Sequence, residues 1–137
     1  MADDFYATAK RMHKSSKTLH NNSEYHNACY LAGYVVECYA KIVVQVFGTG
    51  NPRRFGHSIN NLNTELRNLL AGNSSLSDYI LDDPNDFSSI LTQWNPVSMR
   101  YRSDANIISN QNISNDFQNE IQLAMAKLAK MRLDGKI

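Results

Sequence analysis

The run from Glu24 to Phe47 contains one glycine and no proline, and it limits the possible folds more than any other segment. At 100° per residue, Leu31, Ile42, Val35, Ala28, Val46, Tyr39, Ala32, Val43 and Val36 fall in one broad arc. An apolar face that wide needs more than one covering helix, so the segment predicts a central member of a helical bundle. The opposite arc carries Glu37, Tyr30, Lys41, Tyr34, Asn27 and Gln45, with Glu37 and Lys41 four apart in the order that favours an ion pair. The most apolar part, Val35 to Phe47, is broken by Glu37, Lys41 and Gln45 and is shorter than the roughly 20 residues of a membrane span. No transmembrane segment and no membrane partner are expected.

Three further amphipathic stretches supply the partners. A first helix is expected from about Ala2 to Leu19, with Asp3 or Asp4 near its N-cap and Phe5, Ala9, Met12, Ser16 and Leu19 on one stripe. Asn21 to Ser23 form a polar turn, and Ser23 is the natural N-cap of the second helix. Gly48, Gly50 and Pro52 open a loop to His57 that holds Arg53 and Arg54. Ser58 then caps a third helix with Ile59, Leu62, Leu66 and Leu69, stopped by Gly72. Asn73 to Trp94 is looser, with Asp82-Asp83-Pro84 followed by a short helix from Asp86 to Gln93. Asn95 to Ile113 shows no periodicity, and loops of that length are more often functional than idle. The last helix is expected to start near Ser114 or Asn115 and to bury Phe117, Ile121, Ala124, Leu128 and Met131 before Gly135. The expected fold is all-α: one domain over residues 1–137, an up-and-down four-helix bundle with an elaborated loop and short-helix connection before the last helix.

Charge and cysteine usage narrow the function classes. Fourteen Lys plus Arg against thirteen Asp plus Glu give +1, so any nucleic-acid contact has to be a local patch. Cys29 and Cys38 are nine apart on one helix and project to nearly opposite sides, so they cannot pair with each other. With no charged-then-apolar leader, they point to a reducing, cytoplasmic setting in which the Asn-x-Ser triplets at Asn21, Asn73 and Asn112 carry no glycosylation meaning.

The run Tyr25-His26-Asn27-Ala28-Cys29-Tyr30-Leu31-Ala32-Gly33-Tyr34-Val35-Val36-Glu37-Cys38-Tyr39-Ala40-Lys41 resembles the second helix of the HEPN family, with its "AGYxxE" and lysine pattern. Gly56-His57 through Leu62 resembles that family's entry into its third helix, and Trp94-x-Pro96 followed by Arg100-Tyr101 resembles an element of one branch. The resemblance implies a helical bundle that homodimerises, sits in the prokaryotic cytoplasm and works near nucleotides or RNA. Some members are metal-independent ribonucleases; others accompany a minimal nucleotidyltransferase in toxin–antitoxin, defence or drug-modification settings. The ribonuclease branch places an Arg, four to six intervening residues and then a His near the last helix, brought together across a dimer. Here every His lies at or before His57, and Ile107, Ile108 and Ser109 occupy the positions after Arg102. Arg53 with His57 is the nearest imitation, with one residue too few between.

Three constellations are candidate sites. Tyr30 and Tyr34 can stack a base while Glu37 and Lys41 hold Arg100 or a phosphate, or the charged pair simply fixes the last loop to the bundle. Arg100, Tyr101 and Arg102 suit phosphate or base recognition, or else Tyr101 plugs the core while the arginines pair with Glu37 or meet solvent. Arg53, Arg54 and His57 are the candidate catalytic set, with His57 as a base toward a ribose hydroxyl, or a helix-start residue beside a solvated patch.

No metal site is expected, because His13 and His20 lie roughly 10 Å apart along one helix and His26 has no Cys or carboxylate at ligand spacing. No cofactor is expected either, since no Gly-rich phosphate loop, G-x-S-x-G elbow or paired acidic motif occurs. The leading expectation is a dimeric binding module with a nucleotide- or RNA-facing surface and a nucleotidyltransferase as candidate partner. The alternatives are a divergent ribonuclease toxin and a purely scaffolding helical dimer.

Overall fold

The computed structural model describes residues 4–81 and 86–137, and Asp82-Asp83-Pro84 lies outside them. The described residues are all-helical, without strands. In chain order they form α1 (Phe5–Asn21), α2 (Tyr25–Phe47), α3 (Ile59–Gly72), α4 (Ser88–Gln93), α5 (Pro96–Arg100) and α6 (Gln111–Leu133), with 3-10 turns at Pro52–Phe55, Ser74–Asp78 and Asp104–Asn106. The α2 helix packs on α1, α3 and α6, and it is buried almost continuously from Ala28 to Val44. It has the length and hydropathy of a membrane span, yet 67% of that stretch is buried within the fold, as befits a core helix.

Local chemistry sets the ends. The Asp4 carboxylate accepts the Ala7 N–H at 2.8 Å, which makes Asp4 the N-cap and Phe5 the first residue of α1; Ala2 and Asp3 lie outside the described residues. Ser23 does not cap α2. It sits in the left-handed region (φ 64°), while its own N–H donates to the His20 carbonyl and the Glu24 N–H to that of Leu19. That is a Schellman ending of α1, which satisfies carbonyls at the exit helix at the cost of strain in a side-chain-bearing residue. Asn110 caps α6 through the Asn112 N–H at 2.7 Å, which moves the helix start upstream of the expected Ser114. Ser114 is instead buried, with its hydroxyl 2.7 Å from His20 Nδ1. The stretch without periodicity holds α5, where Asn95 accepts the Ser98 N–H and Pro96 occupies the first turn.

Three long-range ties hold the core. Ser16 Oγ donates to the Ala28 carbonyl at 2.7 Å and accepts from Gln118, joining α1, α2 and α6. The buried Tyr39 hydroxyl donates to the Tyr79 carbonyl and accepts from the Leu81 N–H, fixing the segment after the Ser74–Asp78 turn. Glu120 reaches from α6 to accept the Ser89 and Ile90 N–H groups, capping α4 where Phe87 has no side-chain acceptor. Burial pushes the Glu120 carboxyl above its ordinary value, against the pull of those two bonds.

Candidate functional site

The site is built on one stripe of α2, where His26, Tyr30, Tyr34, Glu37 and Lys41 recur at steps of four and three. Glu37 and Lys41 are 4% and 7% exposed, so the charged pair on the arc read as polar lies inside the protein, while Asn27 and Gln45 are exposed. Burial of both charges requires partners. Glu37 Oε2 is 3.7 Å from Lys41 Nζ, and Glu37 Oε1 is 2.7 Å from His57 Nδ1. Lys41 Nζ also stands 5.6 Å from the centre of the Phe5 ring.

That carboxylate joins two sets that the sequence kept apart. The His57 side chain is 56% exposed and follows the Pro52–Phe55 turn, while Glu37 lies on the core helix. By accepting from Nδ1, the carboxylate orients the ring and leaves Nε2 as its basic nitrogen. The imidazole packs edge-on against Tyr34, with ring centres 5.7 Å apart, at the edge of a groove of about 410 Å³ lined by Phe55, Ile59, Trp94, Pro96 and Val97.

Tyr34 passes the network on. Its ring meets Trp94 edge-on at 5.0 Å, and its hydroxyl is 3.1 Å from that of Tyr30. Arg100 donates from Nε to the Tyr30 hydroxyl at 3.1 Å and from Nη2 to that of Tyr34 at 3.4 Å. The Tyr34–Tyr30 bond pulls the Tyr30 phenol below its ordinary value, whereas burial pushes Tyr34 up to about 12. Either hydroxyl can donate in that bond, and both also accept from Arg100. The two hydroxyls, Tyr30 first, raise the Arg100 guanidinium above its ordinary value.

Trp94 owes its place to Gly33. A Cβ at Gly33 would fall within the indole, so the glycine admits the ring against the α2 backbone, where Nε1 donates to the Tyr30 carbonyl at 2.9 Å.

Several expectations change. Arg100 does not meet Glu37, whose carboxylate is already taken by His57 and Lys41; its fork meets phenols instead. Tyr101 does not plug the core. It is 77% exposed just after α5 ends, and Met99 takes the buried position. Arg54 donates to the Thr49 carbonyl at 2.9 Å and lies over the Phe55 ring, so it closes its own turn; Arg53 is exposed on the same turn.

A cleft of about 520 Å³ opens beside Arg100, bordered by Glu24, Tyr25, Tyr30, Arg102 and Ile108. His26 forms part of its wall, a role the sequence reading missed. It donates from Nε2 to the Met99 carbonyl and accepts the Ile108 N–H at Nδ1, both at 2.9 Å. The available signal was the i, i+4, i+8 register of His26, Tyr30 and Tyr34. Among the described residues no group of three His, Cys, Asp or Glu is placed to hold a metal ion. Comparison of the chain with protein-family models, curated proteins and solved structures finds no match.

Proposed function

We propose that this chain is a HEPN-like binding module: an up-and-down four-helix bundle of α1, α2, α3 and α6 that homodimerises and offers a nucleotide- or RNA-facing surface. In this reading it works in the prokaryotic cytoplasm beside a nucleotidyltransferase, in a toxin–antitoxin or defence setting. The observation that carries it is the Arg100 guanidinium, held by two tyrosine hydroxyls at the lip of a cleft of about 520 Å³. A cleft of that size matches a small-molecule site, and a guanidinium anchored by neutral groups keeps its full charge for an anion. Arg102 lines the same cleft, and Tyr25 and Tyr30 offer aromatic faces to a base.

Titration with ATP, GTP and short oligonucleotides, followed through Trp94 next to Tyr34, tests this reading. Saturable binding that weakens at least tenfold in Arg100→Ala supports it. No binding of any of these ligands leaves the scaffolding dimer in its place.

A second reading, a divergent metal-independent ribonuclease, is favoured by the Glu37–His57 pair. The oriented imidazole packs on the Tyr34 ring and Arg100 bonds the Tyr34 hydroxyl, so an Arg and a His flank one tyrosine although no such spacing exists in the chain. RNA cleavage that persists in EDTA and is lost in His57→Ala and Glu37→Gln supports an enzyme. Intact RNA removes it.

A further inference from the structure

The segment from Met99 to Ile108 carries both cleft arginines, and one side chain grips it at both ends. His26 reaches from the first turn of α2 to bond the Met99 carbonyl through Nε2 and the Ile108 N–H through Nδ1. A carbonyl only accepts and an amide N–H only donates. The ring must therefore carry its proton on Nε2 and present a lone pair at Nδ1, and a single neutral tautomer satisfies both. We infer that His26 is the positioning residue of this cleft, setting Arg100 and Arg102 for an anionic ligand and releasing the strap at Ile108 when the ring takes a second proton. The inference rests on reading the cleft as a nucleotide- or RNA-facing surface.

The release follows from donor and acceptor counting. A charged imidazole has N–H groups at both nitrogens, so Nδ1–H would confront the Ile108 N–H, donor against donor. The charged and titratable groups sharing the cleft are Glu24, Tyr25 and Tyr30 on the α2 side and Arg100 and Arg102 on the strap. His20 stands behind Tyr25 on α1, with ring centres 5.5 Å apart.

Charge and geometry then push in opposite directions. A third cation beside two arginines would tighten an anion if the strap stayed in place. A released strap would weaken it. The sign of the pH effect separates the two.

The test uses the full chain and a deoxythymidine dinucleotide, whose single phosphodiester keeps its charge from pH 5 to pH 8 and which has no 2′-hydroxyl to cleave. Binding is expected to weaken about tenfold from pH 8 to pH 5, the ratio that the loss of one such hydrogen bond carries. Without ligand, the Ile108 amide should lose its hydrogen-exchange protection, corrected for intrinsic rates, over the same range. His26→Asn keeps an acceptor near the Nδ1 position but cannot titrate, so its binding and Ile108 protection should be level with pH. His26→Phe should leave Ile108 unprotected throughout. Binding that tightens or stays level on acidification, or an Ile108 amide still protected at pH 5, would overturn the inference. If the dinucleotide binds at no pH, the reading of the cleft fails, while the exchange measurement still decides what His26 does.

Discussion

The two halves of the α2 stripe handle polar groups in opposite ways. Downstream, Glu37 and Lys41 are buried and neutralise each other, with His57 completing the carboxylate's partners. Upstream, His26, Tyr30 and Tyr34 are half-buried and are met by a strap of backbone and by Arg100, beside an open cleft. One helix thus carries a closed charge cluster and, a turn or two away, a set of donors and acceptors arranged around a space. Desolvation explains the division. Charges deep in the fold have to be paired locally, whereas phenols and an imidazole can be satisfied by chain from elsewhere and leave a cation facing outward.

The joint between the halves is Gly33, and breaking it should have the largest effect. Gly33→Ala is expected to expel the Trp94 indole and cost about 3 kcal/mol, the low end for losing a buried tryptophan from a core. Denaturant unfolding measures the cost, and loss of the Trp94 blue shift confirms its cause. An unchanged midpoint would mean that the indole does not rest on that backbone.

Lys41→Met sharpens the contrast from the closed side. It leaves the Glu37 carboxylate buried with the His57 imidazole as its remaining hydrogen-bond partner, and a loss of about 2 to 3 kcal/mol is expected, somewhat below that for breaking a fully isolated buried pair. Arg100→Ala on the open side should change the unfolding midpoint far less while removing ligand binding.

Next in size is Tyr39→Phe, which removes one hydroxyl from the Tyr79 carbonyl and the Leu81 N–H and should cost about 1 to 2 kcal/mol. The same region predicts an alkaline response. Burial raises the Tyr39 phenol and pushes the Cys38 thiol up to about 12, so the folded chain holds these protons more tightly than the unfolded one. The unfolded chain then binds fewer protons, and stability falls as pH rises above the ordinary thiol and phenol values, about 8.5 to 10. In a Cys38→Ala, Tyr39→Phe double variant that fall should be shallower. The smallest effect expected is at Ser23→Gly, which relieves the left-handed backbone between α1 and α2 and should stabilise by about 0.5 kcal/mol after the added freedom of the unfolded chain.

The helices that could be read from the sequence are those whose pattern is local. The wide apolar arc of α2, the stripe of α3 and the buried positions of α6 all follow from residues three and four apart. What escaped depends on partners far along the chain. Ser23 has the chemistry of an N-cap, yet its backbone serves the exit of α1 instead. Glu120 reads as a surface residue until α4 supplies its two N–H groups. The candidate site divides in the same way. The sequence singled out Tyr30, Tyr34, Glu37, His57 and Arg100, and these do come together; but it paired Arg100 with Glu37, because the competing claim of His57 spans 20 positions and no periodicity reports it. The seat of Trp94 on Gly33 was illegible for the same reason, whereas His26 shared the register of Tyr30 and Tyr34 but its two backbone partners lie 73 and 82 positions away.

Mapping amide chemical shifts while adding the deoxythymidine dinucleotide tests most directly whether the open half of the stripe is the one that takes a ligand. The account predicts changes concentrated at residues 23–34 and 99–109, with the buried stretch from Lys41 to Phe47 and the length of α6 quiet. Changes centred on α6, or none at millimolar dinucleotide, would contradict it.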